Sequence, residues 1–244
     1  MQKSMFEIVS NTALTESVYK MVLRGDTSAI TKPGQFVNIA LSGLYLRRPI
    51  SVCDVQGDLL TIVYKAVGKG TAQMAAMDGG ALELLTGLGN GYDLTKAGDC
   101  PVLLGGGVGV PPMYLLAKEL IKMGKKVRVI LGFNTKNEVF YEEEFKKLGC
   151  TVTVTTVDGS YGMKGFVTDA LKEMDYSYFY TCGPEPMLKA VYKASKTSGQ
   201  MSFEKRMGCG FGACMGCSCK TLTGYKRICK DGPVMEKEEI LWED

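Results

Sequence analysis

The sequence has 244 residues, room for two modest domains and an appendage, and its 45% apolar content is that of a globular protein, which excludes disorder as the default. Lysine and arginine number 29 against 26 aspartates and glutamates, and a formal charge of +3 gives no reason to expect nucleic acid or an anionic membrane as partner. There is no histidine, so Ser-His-Asp hydrolysis, His-ligated zinc catalysis, Rieske centres and His-ligated haem are excluded unless another chain supplies the imidazole.

From Met1 the pattern is of short strands with turns between them, and residues 1–99 are expected to form a small antiparallel β-barrel. The segments 6–9, 18–23, 36–40 and 59–64 each carry β-branched or aromatic residues, with punctuation at Gly25-Asp26, Lys32-Pro33-Gly34 and Gly57-Asp58. Met1 to Asn11 lack the apolar core and cleavage site of a signal peptide, so a cytoplasmic residence is expected. Gly68 to Met77 is the one predicted helix of this region. Within it fall Leu46-Arg47-Arg48-Pro49-Ile50-Ser51, then Val63-Tyr64-Lys65 and Gly70-Thr71. Arg48 could neutralise a phosphate, Ser51 could bond a flavin ring, and Gly70-Thr71 at a helix start could take further phosphate oxygens. Alone, two basic residues before a proline describe a solvated strand end equally well.

From about Cys100 strands alternate with helices, the pattern of a parallel sheet wrapped by helices, and residues 100–200 are predicted to be an α/β nucleotide-binding domain. Helices are predicted over 112–123, 142–148, 167–174 and 185–198, and strands over 101–104, 126–132, 151–157 and 177–182. The first strand meets Gly105-Gly106-Gly107-Val108-Gly109 just before a helix, where the backbone can approach a pyrophosphate and the helix N-terminus supplies N–H donors. A tight βα turn is the alternative, because the string is not the standard G-x-G-x-x-G. The same glycines and Pro111-Pro112 interrupt the longest apolar run, which cannot be an unbroken membrane span. Asp158, in the turn after the third strand, could accept from ribose hydroxyls and repel a 2′-phosphate, which predicts NAD(H) over NADP(H); Asp158-Gly159 also reads as a plain turn. Cys182-Gly183-Pro184 again ends a strand before a helix, on the sheet edge that carries the glycine loop.

Residues 201–244 are rich in Cys and Gly and too short for a core of their own. Of nine cysteines, five lie here, and Cys209, Cys214 and Cys217 with a distant Cys229 give C-x4-C-x2-C followed by a fourth thiol. This is the plant-type ferredoxin spacing for a [2Fe–2S] cluster; structural zinc is the alternative, although zinc prefers C-x2-C pairs. Cys219 competes with Cys229 for the fourth place, and the single distant ligand of the pattern favours Cys229.

Taken in this order, the motifs R-P-x-S, G-G-G-x-G-x-x-P and C-G-P-x-P-M resemble those of the ferredoxin–NADP reductase superfamily. With the appended cysteines and the run Tyr225 to Val234, the whole chain resembles the electron-transfer subunits of B-type, NAD-dependent dihydroorotate dehydrogenases. The resemblance implies that Arg48, Pro49, Ile50, Ser51, Val63, Tyr64, Lys65, Gly70 and Thr71 hold FAD, and that Cys209, Cys214, Cys217 and Cys229 hold the cluster. It also implies a partner: an FMN-containing dihydroorotate dehydrogenase catalytic subunit, joined in a heterotetramer. Electrons would run from that FMN through the cluster and FAD to NAD⁺.

Overall fold

The computed structural model describes residues 1–242. Six strands, β1 (Gln2–Ala13), β2 (Val18–Arg24), β3 (Phe36–Ile39), β4 (Arg48–Gln56), β5 (Leu59–Lys65) and β6 (Ala81–Leu88), close into an antiparallel barrel in the order β1-β2-β5-β4-β3-β6. The short helix α1 (Lys69–Ala75) joins β5 to β6. Strand alternation sorts the residues: Leu60, Ile62 and Tyr64 of β5 and Val37 and Ile39 of β3 fill the barrel, and their neighbours point outward. Of the outward residues, Phe36, Asn38 and Val63 are also buried, because these flanks of the barrel are covered by the rest of the chain.

The second layer is a seven-stranded sheet in the order β10-β9-β8-β7-β11-β12-β15. Its members are β7 (Val102–Gly106), β8 (Arg128–Phe133), β9 (Thr151–Thr156), β10 (Met163–Lys164), β11 (Phe179–Cys182), β12 (Gly199–Ser202) and β15 (Val234–Glu236). All pair in parallel except β15, which lies antiparallel to β12. Helices α2 (Pro111–Lys122) and α3 (Glu142–Lys147) pack on one face, α4 (Val167–Lys172) and α5 (Glu185–Ala194) on the other. A parallel sheet covered on both faces reads as a continuous apolar run, and Val102, Leu103 and Leu104 are each fully buried. Leu103 packs with α2 and its neighbours with α4 and α5, each side chain contributing about 1.5–3 kcal/mol of burial.

The expected barrel, parallel sheet and C-terminal lobe are all present. The helix expected to run to Ser198 ends at Ala194, because Ser195, Thr197 and Ser198 compete for backbone bonds and the chain must turn into β12. The lobe holds a hairpin, β13 (Ser218–Thr221) and β14 (Gly224–Arg227), before β15. Rather than standing apart, its Cys217, Ile228, Cys229, Met235 and Ile240 join the core formed by Val102, Leu104 and Ile130 of the sheet and Phe36, Leu85 and Leu88 of the barrel. No helix among the described residues is long and apolar enough to cross a membrane.

The barrel meets the sheet through an apolar interface in which Val18, Cys53 and Val63 pack with Val110, Met113 and Tyr141. Polar contacts also cross it. Lys118 on α2 donates to Asp54 on β4 at 2.7 Å with both side chains largely buried, and the Cys53 thiol lies 3.3 Å from the Tyr141 hydroxyl.

Candidate functional site

The flavin motif begins at the start of β4. Of its two arginines, Arg47 is consumed by structure: its guanidinium is paired with the Glu83 carboxylate and donates to the carbonyls of Asn38 and Glu83. Arg48 makes no ion pair among the described residues; one Nη donates to the Leu46 carbonyl, and the guanidinium lies flat against Gly70 in the first turn of α1. A Cβ on Gly70 would stand 2.2 Å from Arg48 Nε, so only glycine permits this approach. A half-buried, uncompensated guanidinium beside a helix start could cradle a phosphate.

Other expected residues divide by face. Ser51 lies outward on β4, opposite Phe36 across the ladder. Pro49 pairs with Asn38, and Ile50 turns toward the barrel core. Val63 is buried against the glycine loop, and Tyr64 lies inside the barrel with its hydroxyl donating to Asn11 Oδ1 at 2.9 Å, so both reach a ligand only through their main chain. Lys65 is exposed beside them. Thr71 Oγ1 accepts from the N–H groups of Val67 and Gly68 and donates to the Gly68 carbonyl, which commits the hydroxyl to shaping the loop. Arg48→Ala is expected to weaken flavin retention by about 1.5–3 kcal/mol, the value of a hydrogen bond to a charged group. Flavin occupancy after dialysis measures it, and unchanged occupancy would detach Arg48 from the phosphate.

The glycine loop lies at the carboxyl edge of the sheet, where strand order reverses between β7 and β11 and a crevice opens. Gly105 pairs with Cys182, and a Cβ on Gly109 would strike the Cys182 carbonyl at 2.2 Å, so the two loops close on each other. Pro184 and Met187 crowd Gly106 in the same way. Gly107 is left facing open space, ahead of the twelve-residue helix α2. That helix opens with Pro111 and Pro112, which carry no N–H, and the Met113 N–H is already bonded to the Val110 carbonyl at 3.0 Å, so the donors expected from the helix N-terminus are missing and the glycine turn's own backbone is what is left to approach a pyrophosphate. Strand β5 touches this turn, which places the flavin motif beside the nucleotide loop.

Asp158 sits at the carboxyl end of β9, exposed, its carboxylate accepting from the Ser160 N–H at 2.9 Å and hydroxyl at 2.7 Å. These donors hold it below the ordinary carboxylate range, and so charged. Cys182 is the reverse case. Burial pushes its thiol up to about 12, opposed by the Ser202 hydroxyl, so it stays protonated near neutral pH. Ser202, which pairs with Cys182 across β12, also bonds the buried Tyr92 hydroxyl. Neither Ser202 nor Tyr92 stood out in the sequence; only the register of β12 beside β11 reveals them.

The four expected cluster thiols do not converge on one point, and among the described residues no three His, Cys, Asp or Glu side chains do. They stand instead in two pairs. The Cys209 thiol accepts from the N–H groups of Ala213 at 3.2 Å and Cys214 at 3.4 Å, and the Cys214 thiol from Cys209 N–H at 3.5 Å. The Cys217 thiol accepts from Cys229 N–H at 3.4 Å. Two thiols for each of two irons is the donor set of a [2Fe–2S] cluster, whereas a single zinc needs four around one centre. Burial opposes ionisation of Cys209, but backbone donors from Cys214, Phe211 and Ala213 pull it down to about 6, towards the thiolate that iron requires. Arg227 braces the loop, donating to both Asp231 oxygens and to the Gly212 carbonyl. Cys219 lies on β13 opposite Lys226, outside both pairs.

Residues 204–241 match the family described as the iron–sulfur cluster binding domain of dihydroorotate dehydrogenase B, and residues 103–193 match the oxidoreductase NAD-binding domain. The electron transfer subunit of dihydroorotate dehydrogenase B (NAD⁺) from Fusobacterium nucleatum is 46% identical over 96% of both chains. The corresponding Bacillus pumilus subunit is 43% identical over 98% of both. A solved NADH-dependent reduced ferredoxin–NADP oxidoreductase superposes with a TM-score of 0.89 at 31% identity, covering 97% of this chain and 90% of that one. A Neisseria gonorrhoeae ferredoxin NADP⁺ reductase with bound FAD and NADP shares the fold, with a TM-score of 0.70 at 18% identity, over 80% of this chain and 90% of that one. The paired thiols, the glycine crevice and the arginine cradle thus occur together in a chain that belongs to the family of electron transfer subunits of NAD⁺-dependent dihydroorotate dehydrogenase B.

Proposed function

We propose that this chain takes electrons released by dihydroorotate oxidation at the FMN of a catalytic partner subunit and delivers them, through a [2Fe–2S] cluster and FAD, to NAD⁺, as a step of pyrimidine biosynthesis in the cytoplasm. Residues 1–99 hold FAD, 100–200 hold NAD and 201–244 hold the cluster, the last two residues lying outside those described. The partner is an FMN-containing subunit, and the two chains form a heterotetramer. One observation carries this reading: a single barrel touches the other two sites, β5 against the glycine turn and β3 against the cysteine loop.

When bound, the flavin exchanges a hydride with nicotinamide and single electrons with the cluster. The chain's own residues bind and orient. Arg48 balances a phosphate, Ser51 offers a hydroxyl on the barrel's outer face, and Gly105, Gly106, Gly107 and Gly109 let the backbone close on a pyrophosphate. Cys182, Gly183 and Pro184 wall the crevice, with the Cys182 thiol kept neutral by burial and steadied by Ser202. No general acid or base is required, in keeping with a sequence free of histidine.

Co-purification with cofactor analysis tests the assignment. The expected result is FAD equimolar with the chain, iron and acid-labile sulfide in equal amounts, and an FMN-bearing partner. The likeness to the NADH-dependent ferredoxin–NADP oxidoreductase supports a second reading, in which the chain serves another oxidoreductase. A ferredoxin-linked partner in place of the FMN subunit would establish it.

Asp158 gives the nucleotide preference. A charged carboxylate at the ribose end of the crevice repels a 2′-phosphate, so NADH is expected to exceed NADPH in kcat/KM by on the order of tenfold. Dye reduction with each nucleotide measures this. Asp158→Ala should narrow the gap, and equal efficiency in the unaltered chain would remove Asp158 from that role.

A further inference from the structure

Asn38 is 1% exposed, on the four-residue strand β3, and among the described residues its side chain makes no hydrogen bond within the barrel. Its Nδ2 crosses instead to the C-terminal lobe and donates to the carbonyl of Cys209, the first cluster cysteine, at 3.2 Å. Gly210, at φ +79°, is pressed against the same amide: a Cβ there would stand 2.2 Å from Nδ2. The contact is therefore shaped from both sides. The other half of the amide, Oδ1, is buried and has no donor. A buried acceptor left unpaired is uncommon and calls for a partner that arrives with a ligand.

Strand geometry places that oxygen. Val37 and Ile39 fill the barrel, so Asn38 and Phe36 share the outer face, and across the ladder they oppose Pro49 and Ser51 of the flavin motif. The carbonyl of Asn38 is itself held by Arg47 of that motif at 3.3 Å. Strand β3 lies directly beside the flavin-motif strand β4, and Asn38 is the residue of β3 whose side chain hydrogen-bonds the cysteine loop.

The geometry points to Asn38 as a positioning residue shared by both redox groups, its Nδ2 fixing the Cys209 end of the cluster loop and its Oδ1 accepting an N–H or hydroxyl donor of the bound flavin. This rests on the flavin and cluster assignments above. The amide then sets the distance between the two groups, on which the rate of electron transfer between them depends.

The test uses the purified full chain with both groups bound, as Asn38→Leu, close in volume but without the amide, and Asn38→Ala, which cannot clash. Readouts are the flavin absorbance maximum and reduction potential, the EPR signal of the reduced cluster, and the rate at which an electron placed on flavin by NADH equilibrates with the cluster. Both spectra are expected to shift in both variants, and equilibration to slow severalfold relative to the parent. A change confined to the cluster would overturn the flavin half of the role, and unchanged spectra and equilibration would overturn all of it. A parent chain that binds no flavin or no cluster would overturn the underlying assignment and this role with it.

Discussion

Serine in place of Cys209, Cys214, Cys217 or Cys229, one at a time, is expected to abolish the visible absorbance of the [2Fe–2S] cluster, while Cys219→Ser leaves it intact. A hydroxyl is a hard and weakly acidic donor, a poor substitute for a soft thiolate on iron. The pairing sharpens the expectation. Cys209 and Cys214 form the exposed pair, and Cys217 and Cys229 the buried one, at 3% and 2% exposure. Serine at Cys217 or Cys229 should also cost fold stability, because both thiols are part of the core beside Ile228 and Phe36. Loss of the cluster in Cys219→Ser with retention in Cys229→Ser would reverse the ligand assignment.

The second large effect is all-or-none. The chain alone is expected to oxidise NADH with an artificial acceptor and to show no dihydroorotate oxidation; addition of the FMN-bearing catalytic subunit should create NAD⁺-linked dihydroorotate oxidation. The sequence carries one flavin motif and one glycine loop, and no second flavin motif. Electrons must also enter the chain from that partner, and the cluster loop is placed for that: Phe211 and Met215 beside the cysteines are 42% and 53% exposed. Dihydroorotate turnover by the isolated chain would refute this division of labour, and a failure of the two subunits to associate would favour the ferredoxin-linked reading.

Much of this was legible in the residues because the signals were local. Strand, glycine turn and helix are consecutive around Gly105 to Pro112, and a cysteine spacing survives whatever surrounds it. What stayed hidden depends on distant pairing. The strand β6 is written in Ala, Leu and Glu, good helix formers, and becomes extended only because β1 and β3 flank it. A three-residue strand such as β15 has no periodicity to read. Asn38 illustrates the same limit at the site: an asparagine between Val37 and Ile39 looks like a poor strand residue until a loop 171 positions later supplies its partner.

The return of the chain to the sheet has a consequence for how the protein stays dispersed. Without β15, strand β12 would be an outer strand, and its free N–H and C=O groups would form a template for pairing with another molecule. The cover comes from the segment just beyond Cys229, tied by Asn90, which donates to the carbonyls of Asp231 and Val234. The guard against self-association is thus supplied by a stretch of chain anchored, a few residues earlier, at the buried pair of thiols, so that delivery of iron and protection from aggregation fall on the same few residues.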